Sequence, residues 1–379
     1  TLSMLCDVLD PISRKSYSRD PRWVAKKAEQ YLKKSGIADI SYWGPELEFF
    51  VFDSVRFDQN SHSGFYYVDS DEGIWESGSG EWENLAYKPR HKQGYFPTPP
   101  FDTYQDFRSE VVLKLADFGI DIEKHHHEVA PSQNELGFKF SPLVQTADWL
   151  QIYKYCVHMV AHSYGKTATF MPKPVLDDNG SGMHCHQSIW KGKTPIFAGD
   201  EYAGVSKQCL YYIGGIFKHV KAINAFTNPG TNSYKRLVPG FEAPTLLVYS
   251  ALNRSALCRI PYGKSTNAKR VEVRFPDPSA NPYLALSAML MAGMDGIKNK
   301  INPGDPLDKD LYSLSDKEVS KIPKVSASLS EALKALDSDR KFLTAGEVFT
   351  DSQIDGYIEL KEEEQARIDY TPHPAEFDM

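Results

Sequence analysis

Four stretches of this chain combine residue types that can do chemistry. The first is Gly44-Pro45-Glu46-Leu47-Glu48-Phe49-Phe50. On an extended strand, residues two apart point the same way, so Glu46 and Glu48 share one side and Leu47 and Phe49 take the other. A solvated strand face is the ordinary reading of an isolated Glu-x-Glu pair. In so apolar a strand, two adjacent carboxylates repel each other unless a cation lies between them. The second stretch is His125-His126-His127-Glu128, followed by Glu135. Consecutive strand residues diverge and do not converge on a tetrahedron, which counts against a zinc site. Each histidine is therefore expected in a structural role, and Glu128 and Glu135 are the stronger ligand candidates.

The third stretch runs from Asn179-Gly180-Ser181-Gly182 into Met183-His184-Cys185-His186-Gln187-Ser188. Its glycines permit a tight turn and close backbone approach. His184, His186 and Ser188 then fall on one strand face, with Cys185 opposite as a small buried residue. The glycine spacing fits neither a dinucleotide fingerprint nor a P-loop, so a nucleotide would be held in another way. The fourth is a set of arginines, Arg236, Arg254, Arg259, Arg270 and Arg274, the last two flanking Glu272 in an alternating run. Planar guanidinium forks suit carboxylates and phosphates. A single arginine is usually a surface ion pair, whereas several at short spacing make an anion site the more economical reading. Pro239-Gly240 ahead of Glu242 signals a turn, and so a mobile flap carrying an acid.

Charge ties these stretches together. Glu46, Glu48, Glu128, Glu135 and Glu272 would bring their negative charges into one cavity, with His184 as a neutral ligand. Burying that charge without a partner is prohibitive. Two divalent cations nearly cancel it, and carboxylate-rich ligand sets select hard ions such as magnesium or manganese. Two hard metals beside an arginine cluster imply phosphoryl transfer, in which positioning and charge neutralisation carry most of the catalysis.

The elements that must hold these residues are legible in outline. With 379 residues, 41% hydrophobic and 25% charged, the chain is long and apolar enough to bury a large core. Its net charge of −7, with both signs interleaved, argues against a nucleic-acid binder. The cysteines (Cys6, Cys156, Cys185, Cys209 and Cys258) are odd in number and widely spaced, which points to a reducing, cytoplasmic compartment. No apolar run approaches the roughly 20 residues of a membrane helix. Helical patterns cover Pro21–Lys34, Tyr104–Phe118, Asp148–Ser163, Lys207–Ala225, Pro282–Lys298, Leu329–Leu336 and Ser352–Ile368. Strand-like runs cover Thr1–Val8, Ile40–Phe52, Val129–Phe140, Thr169–Val175, Gly182–Trp190 and Arg270–Phe275. Polar residues at alternate strand positions predict a sheet with one face on an apolar core and the other on a polar cavity. The expected class is α+β: a curved antiparallel sheet forming an open barrel, with helices packed outside. One domain is expected, with surface excursions near 59–84 and 305–324.

At these residues the chain resembles the catalytic domain of a bacterial type I glutamine synthetase, from Asp7 through Phe377. Further motifs in the resemblance are Gly94-Tyr95-Phe96-Pro97, Lys173-Pro174 and Asn232–Pro244. The resemblance implies that Glu48, Glu128 and Glu135 hold one metal, and Glu46, His184 and Glu272 a second beside the ATP phosphates. Asn179, Gly180, Arg236 and Arg274 would position glutamate. Arg254, Arg259 and Arg270 would meet the nucleotide and the transferred phosphate, with Glu123, Phe140, His186 and Ser188 also on the nucleotide. Glu242 would close the flap and take a proton from ammonium.

The implied reaction makes glutamine from glutamate, ammonia and ATP through an acyl phosphate. A γ-glutamyl ligase using another amine, such as a polyamine, and a non-catalytic relative are the alternatives. Two stacked hexameric rings are the implied assembly. The chain departs from the family in three places. Nothing corresponds to its N-terminal β-grasp domain, so the chain is expected to be an incomplete catalyst. Ser132 stands where many relatives have glycine, which is expected to matter little. Tyr312 matches a tyrosine that is adenylylated in some relatives, but its surroundings differ.

Overall fold

The computed structural model describes residues 3–80, 83–238 and 243–378; the side chains of Tyr312 and Asp378 lie outside that description. The catalytic candidate Glu242, with the turn before it, also lies outside the described residues. Helix α1, Pro21–Lys34, begins as its sequence predicts, with Pro21 in the first turn and the Asp20 carboxylate accepting from the Arg22 N–H. Strands β1 (Ile40–Phe52), β2 (Ser54–Gln59) and β3 (Gly64–Asp69) follow. Next come α2 (Gln105–Asp117), β4 (Ile122–His127), β5 (Gln133–Phe138), β6 (Ser141–Pro142), α3 (Leu143–Ser163), β7 (Thr167–Thr169), β8 (Met183–Lys191) and β9 (Thr194–Pro195). The remainder comprises α4 (Lys207–Thr227), α5 (Ser233–Arg236), β10 (Tyr249–Ser250), β11 (Cys258–Arg259), β12 (Val271–Val273) and α6 (Pro282–Asn299). Four further helices, α7 (Asp316–Val319), α8 (Leu329–Ser338), α9 (Lys341–Thr344) and α10 (Asp351–Asp369), complete the chain.

The main sheet has the order β10-β11-β12-β8-β1-β5-β4, with β6 and β7 also on β1 and β9 on β8. Its pairings are antiparallel except β10 with β11, and β4 and β10 stand at opposite ends of the order, so the sheet is open. One face is apolar. Leu47, Phe49, Val51, Leu136, Met183, Cys185, Val271 and Val273 are buried in one continuous core with residues of α1, α3, α4 and α6. Each large side chain taken from water there contributes about 1.5–3 kcal/mol. The alternation read from β1 holds over its central residues: Leu47 and Phe49 enter the core, while Glu46 and Glu48 face a cavity.

The two segments read as surface excursions are largely exposed among their described residues, yet each has anchors that short-range sequence signals miss. Residues 59–84 include strand β3, which pairs with β2, and at their base Glu72 is fully buried. The Glu72 carboxylate accepts from Ser132 N at 2.6 Å and lies 2.8 Å from His127 Nε2. Residues 305–324 contain α7, and Leu311 joins Leu246, Val248 and Ala256 in a small apolar cluster of their own. At the N-terminus, residues 3–8 form no strand; a single bridge joins Leu9 to Ser16.

Candidate active site

Cross-strand register builds the polar face. Arg259 on β11 lies opposite Glu272 on β12, and Glu272 lies opposite His186 on β8. His184, two residues earlier on β8, is opposite Glu46 on β1. Glu48 is opposite Glu135 on β5, and Glu135 is opposite His126 on β4. Residues far apart in sequence therefore form a diagonal across six strands. A one-residue slip in any of them would turn its part of the diagonal into the core.

Three adjoining cavities receive these side chains. A cavity of about 490 Å³ is lined by Glu46, Glu48, Glu128, Glu135, His184, Glu272, Arg254, Arg259 and Arg274, together with Lys124 and His126. A second, of about 620 Å³, takes Glu123, Phe140, His186, Ser188 and Arg270, and shares Glu46 and Lys124 with the first. Between β1 and the Asn179–Gly182 turn, a small recess of about 30 Å³ is lined by Asn179, Gly180, Arg236, Arg274 and Glu48. The residues assigned by resemblance to metals, nucleotide and glutamate thus separate into neighbouring spaces. Arg254 and Arg259, expected on the nucleotide and the transferred phosphate, instead line the first cavity, where Arg259 donates to Glu272 Oε2 at 2.8 Å. Tyr312 belongs to a turn at Leu311–Ser313.

The glycines at 180 and 182 are packing requirements. A Cβ on Gly180 would stand 2.3 Å from the Pro172 carbonyl oxygen, and one on Gly182 would stand 2.5 Å from Arg236 Nη2. The close approach foreseen for a ligand is made by the protein's own backbone and by Arg236. This buried guanidinium donates to the carbonyls of Phe275 and Arg274.

Two trios of ligand atoms lie within 4.8 Å of one another: Glu46, His184 and Glu272 in one, and His126, Glu128 and Glu135 in the other. The first matches the sequence reading. In the second, His126 takes the place expected for Glu48. His126 Nε2 is 3.3 Å from Glu135 Oε1, and its Nδ1 is 3.5 Å from Glu128 Oε1, with Phe96 stacked on the ring. Glu48 stands beside Glu135 on the neighbouring strand, and its Oε2 accepts from Gln133 Nε2 and Gly182 N, both at 3.0 Å. Its Oε1 is 3.9 Å from His184 Nε2. His127 is structural, bonded to Glu72, and the Arg108 Nε donates to His125 Nδ1.

No sequence motif singles out Lys124, and the sequence points His126 to a structural role. The available signal was alternation, since Lys124, His126 and Glu128 are each two residues apart.

The carboxylates differ in how their charge is met. Burial pushes Glu272 up, but Arg274, His186 and His184 outweigh it and hold the group at about 2. Burial likewise opposes ionisation of Glu46, and His184 and His186 overcome it, leaving the carboxyl well below its usual range. Glu135 is lowered despite burial, chiefly by His126. Glu48 goes the other way: burial and the nearby Glu135 push it up to about 8. Burial and Arg274 lower His184, which keeps the imidazole neutral and able to bind metal.

The family description "Glutamine synthetase, catalytic domain" matches residues 18–379. The chain belongs to the glutamine synthetase family. It is therefore an enzyme of a ligase family that works in glutamine biosynthesis and nitrogen metabolism. A glutamine synthetase from Rhizobium meliloti (strain 1021) is 63% identical over 385 residues, covering 100% of this chain and 81% of that protein. A Plasmodium falciparum glutamine synthetase solved by cryo-electron microscopy superposes with a TM-score of 0.88 at 32% identity, covering 98% of this chain and 80% of that one. A protein named 3-hydroxylaminophenol mutase, from Cupriavidus pinatubonensis (strain JMP 134 / LMG 1197), is 57% identical over 382 residues, covering 100% of this chain and 81% of that protein.

ATP and divalent metals are typical of glutamine synthetases, and the donor set suits the metals. Each trio offers two carboxylates and one imidazole, a set for hard divalent ions. Among the described residues Glu135 Oε1 is buried with no aligned hydrogen bond, although Lys124 and His126 approach it at ion-pair distance. Arg274 Nε is also buried without a hydrogen-bond partner among the described residues. An acceptor and a donor left unsatisfied on opposite sides of one cavity fit a bound cation and a bound anion.

Proposed function

We propose that this chain catalyses ATP-dependent formation of glutamine from glutamate and ammonia, through a γ-glutamyl phosphate intermediate, with two magnesium or manganese ions. The observation that carries the reading is the pair of ligand trios in a cavity that opens onto both a nucleotide-sized space and an arginine-lined recess. Divalent ions, when bound, neutralise the carboxylates and draw charge from the phosphate oxygens. Glu46, His184 and Glu272 would hold one ion, and Glu128 and Glu135, with Glu48 or His126, the other.

Where the recess meets the first cavity, with Glu48 and Arg274 common to both, Asn179, the Gly180 backbone, Arg236 and Arg274 orient glutamate so that its side-chain carboxylate faces the γ-phosphorus. Phe140, Glu123, His186, Ser188 and Arg270 hold the nucleotide. Arg254 and Arg259 face the charge that grows on the phosphoryl oxygens as the bond to ADP breaks. Ammonia then attacks the acyl carbon and phosphate leaves. Glu242 takes the proton from ammonium, and flap closure keeps water from the acyl phosphate. The unpaired state of all five cysteines supports a reducing cytoplasmic setting, and two stacked hexamers are the assembly we infer from the family resemblance.

The test is glutamine and phosphate formation by the full-length protein with ATP, glutamate and ammonia, run beside polyamines and beside 3-hydroxylaminophenol without ATP. Equal release of glutamine and phosphate is expected. Product with polyamines only, or isomerisation of the hydroxylaminophenol only, would sink the proposal.

A further inference from the structure

Lys124 stands between the two trios. Its Nζ is 3.0 Å from Glu46 Oε1, in one trio, and 3.2 Å from Glu135 Oε1, in the other. The position is built into the sheet. A register shift between Ile122 and Lys124 precedes it, and Lys124 then pairs with Gly137 on β5. Any Cβ on Gly137 would lie 3.3 Å from Lys124 Cε and 3.7 Å from Glu46 Cγ, so the absence of a side chain there leaves the channel along which the lysine stem lies. The side chain is 48% exposed, and it lines both the carboxylate cavity and the nucleotide cavity. A flexible four-carbon stem with a point charge can serve either space by rotation about its own bonds.

We propose that Lys124 is a resident cation with two stations. Without divalent ions it bridges Glu46 and Glu135 and keeps the diagonal intact. When ions fill the trios, their charge repels the ammonium, which turns into the adjoining cavity and binds the phosphate chain of the nucleotide. Lys124 thus competes with metal and assists nucleotide, so metal and nucleotide binding are coupled through one side chain. The inference rests on the metal and nucleotide reading given above.

Full-length protein stripped of metal is titrated calorimetrically with manganese chloride, and the manganese-loaded protein with β,γ-imido-ATP. Thermal unfolding in a chelator is followed in parallel. Lys124→Met is expected to bind the first manganese ion about fivefold more tightly and the nucleotide analogue about fivefold more weakly, the upper scale of one half-exposed charge pair. In the chelator it melts at lower temperature than the parent, and manganese removes that difference. Lys124→Arg keeps the charge, so its nucleotide affinity stays near the parent value. Unchanged manganese and nucleotide affinities in Lys124→Met overturn the proposal. So does weaker binding of both ligands, which marks a structural lesion and not competition. Failure of the parent itself to bind manganese or the analogue would sink the functional reading from which the inference starts.

Discussion

The two trios lie on one sheet, a few residues apart, yet they carry their charge differently. Glu272 is neutralised from within the chain, by Arg259 on the adjacent strand and by Arg274 two residues further on. Its neighbours Glu46 and His184 belong to the same balanced set. Around Glu135 the balance is thinner: one histidine and one half-exposed lysine face it, and Glu48 beside it is driven towards its protonated form. Where the protein supplies its own cations the fold holds the carboxylates ready, and where it does not an outside cation must complete the structure.

The largest test of this contrast removes that cation. Dialysis against a chelator should abolish phosphate release, and magnesium or manganese should restore it. Retained turnover in metal-free buffer would remove the basis of the comparison. Next come two isosteric changes. Glu48→Gln should lower turnover by at least about a hundredfold, as loss of a group acting on transition-state charge does, while leaving metal-free stability unchanged or higher. A glutamine oxygen at 48 can still accept from Gln133 and Gly182 and carries no charge to bury. Glu272→Gln should lower turnover and also cost about 3–5 kcal/mol, because two guanidinium groups lose their buried counter-charge. Denaturant melts of the two variants decide between equal and unequal costs.

The pH dependence of metal-free stability should carry both signs. Glu272 is depressed from 4.5 to about 2, so its contribution is present above the ordinary carboxylate range and is lost as pH falls through about 2. The amount is on the order of 3 kcal/mol. Glu48 is raised, so the folded chain keeps a proton that the unfolded chain releases; stability therefore declines as pH rises from the ordinary range through about 8. Melting curves of the parent and Glu48→Gln across that range should diverge towards alkaline pH. Curves that stay parallel would remove Glu48 as the cause.

The smallest effect concerns Ser132, which lies at φ 67 in the turn joining β4 to β5. That left-handed conformation costs a non-glycine residue about 1–2 kcal/mol. The substitution expected to matter little thus occupies a strained position, and its hydroxyl is bonded to that of Ser70 at 2.5 Å. Ser132→Gly should change stability by no more than about 1 kcal/mol, backbone relief offsetting the lost hydrogen bond, with turnover unchanged.

What could be read from sequence followed from local rules. Alternation placed Glu46 and Glu48 opposite Leu47 and Phe49, and a capping aspartate with a proline marked the start of α1. Which carboxylate meets which histidine depends on register between distant strands, and no single strand encodes that. Hence the sequence alone does not bring His126 opposite Glu135 or Lys124 to Glu46. The cluster around Leu311 escaped for a related reason: its apolar residues are too few and too scattered to show a period, and they find partners only after folding.

The diagonal also imposes an order in time. A chain emerging from the ribosome has His126, Glu128 and Glu135 within one hairpin, available as soon as β5 is made. Glu46 must wait for β8 to bring His184, and that trio is complete only when β12 delivers Glu272, after α4 has been synthesised. Such pairing over long sequence separation is slow. The half of the site with the thinner charge balance is thus the first to form, and it spends the longest part of synthesis beside an unfinished sheet.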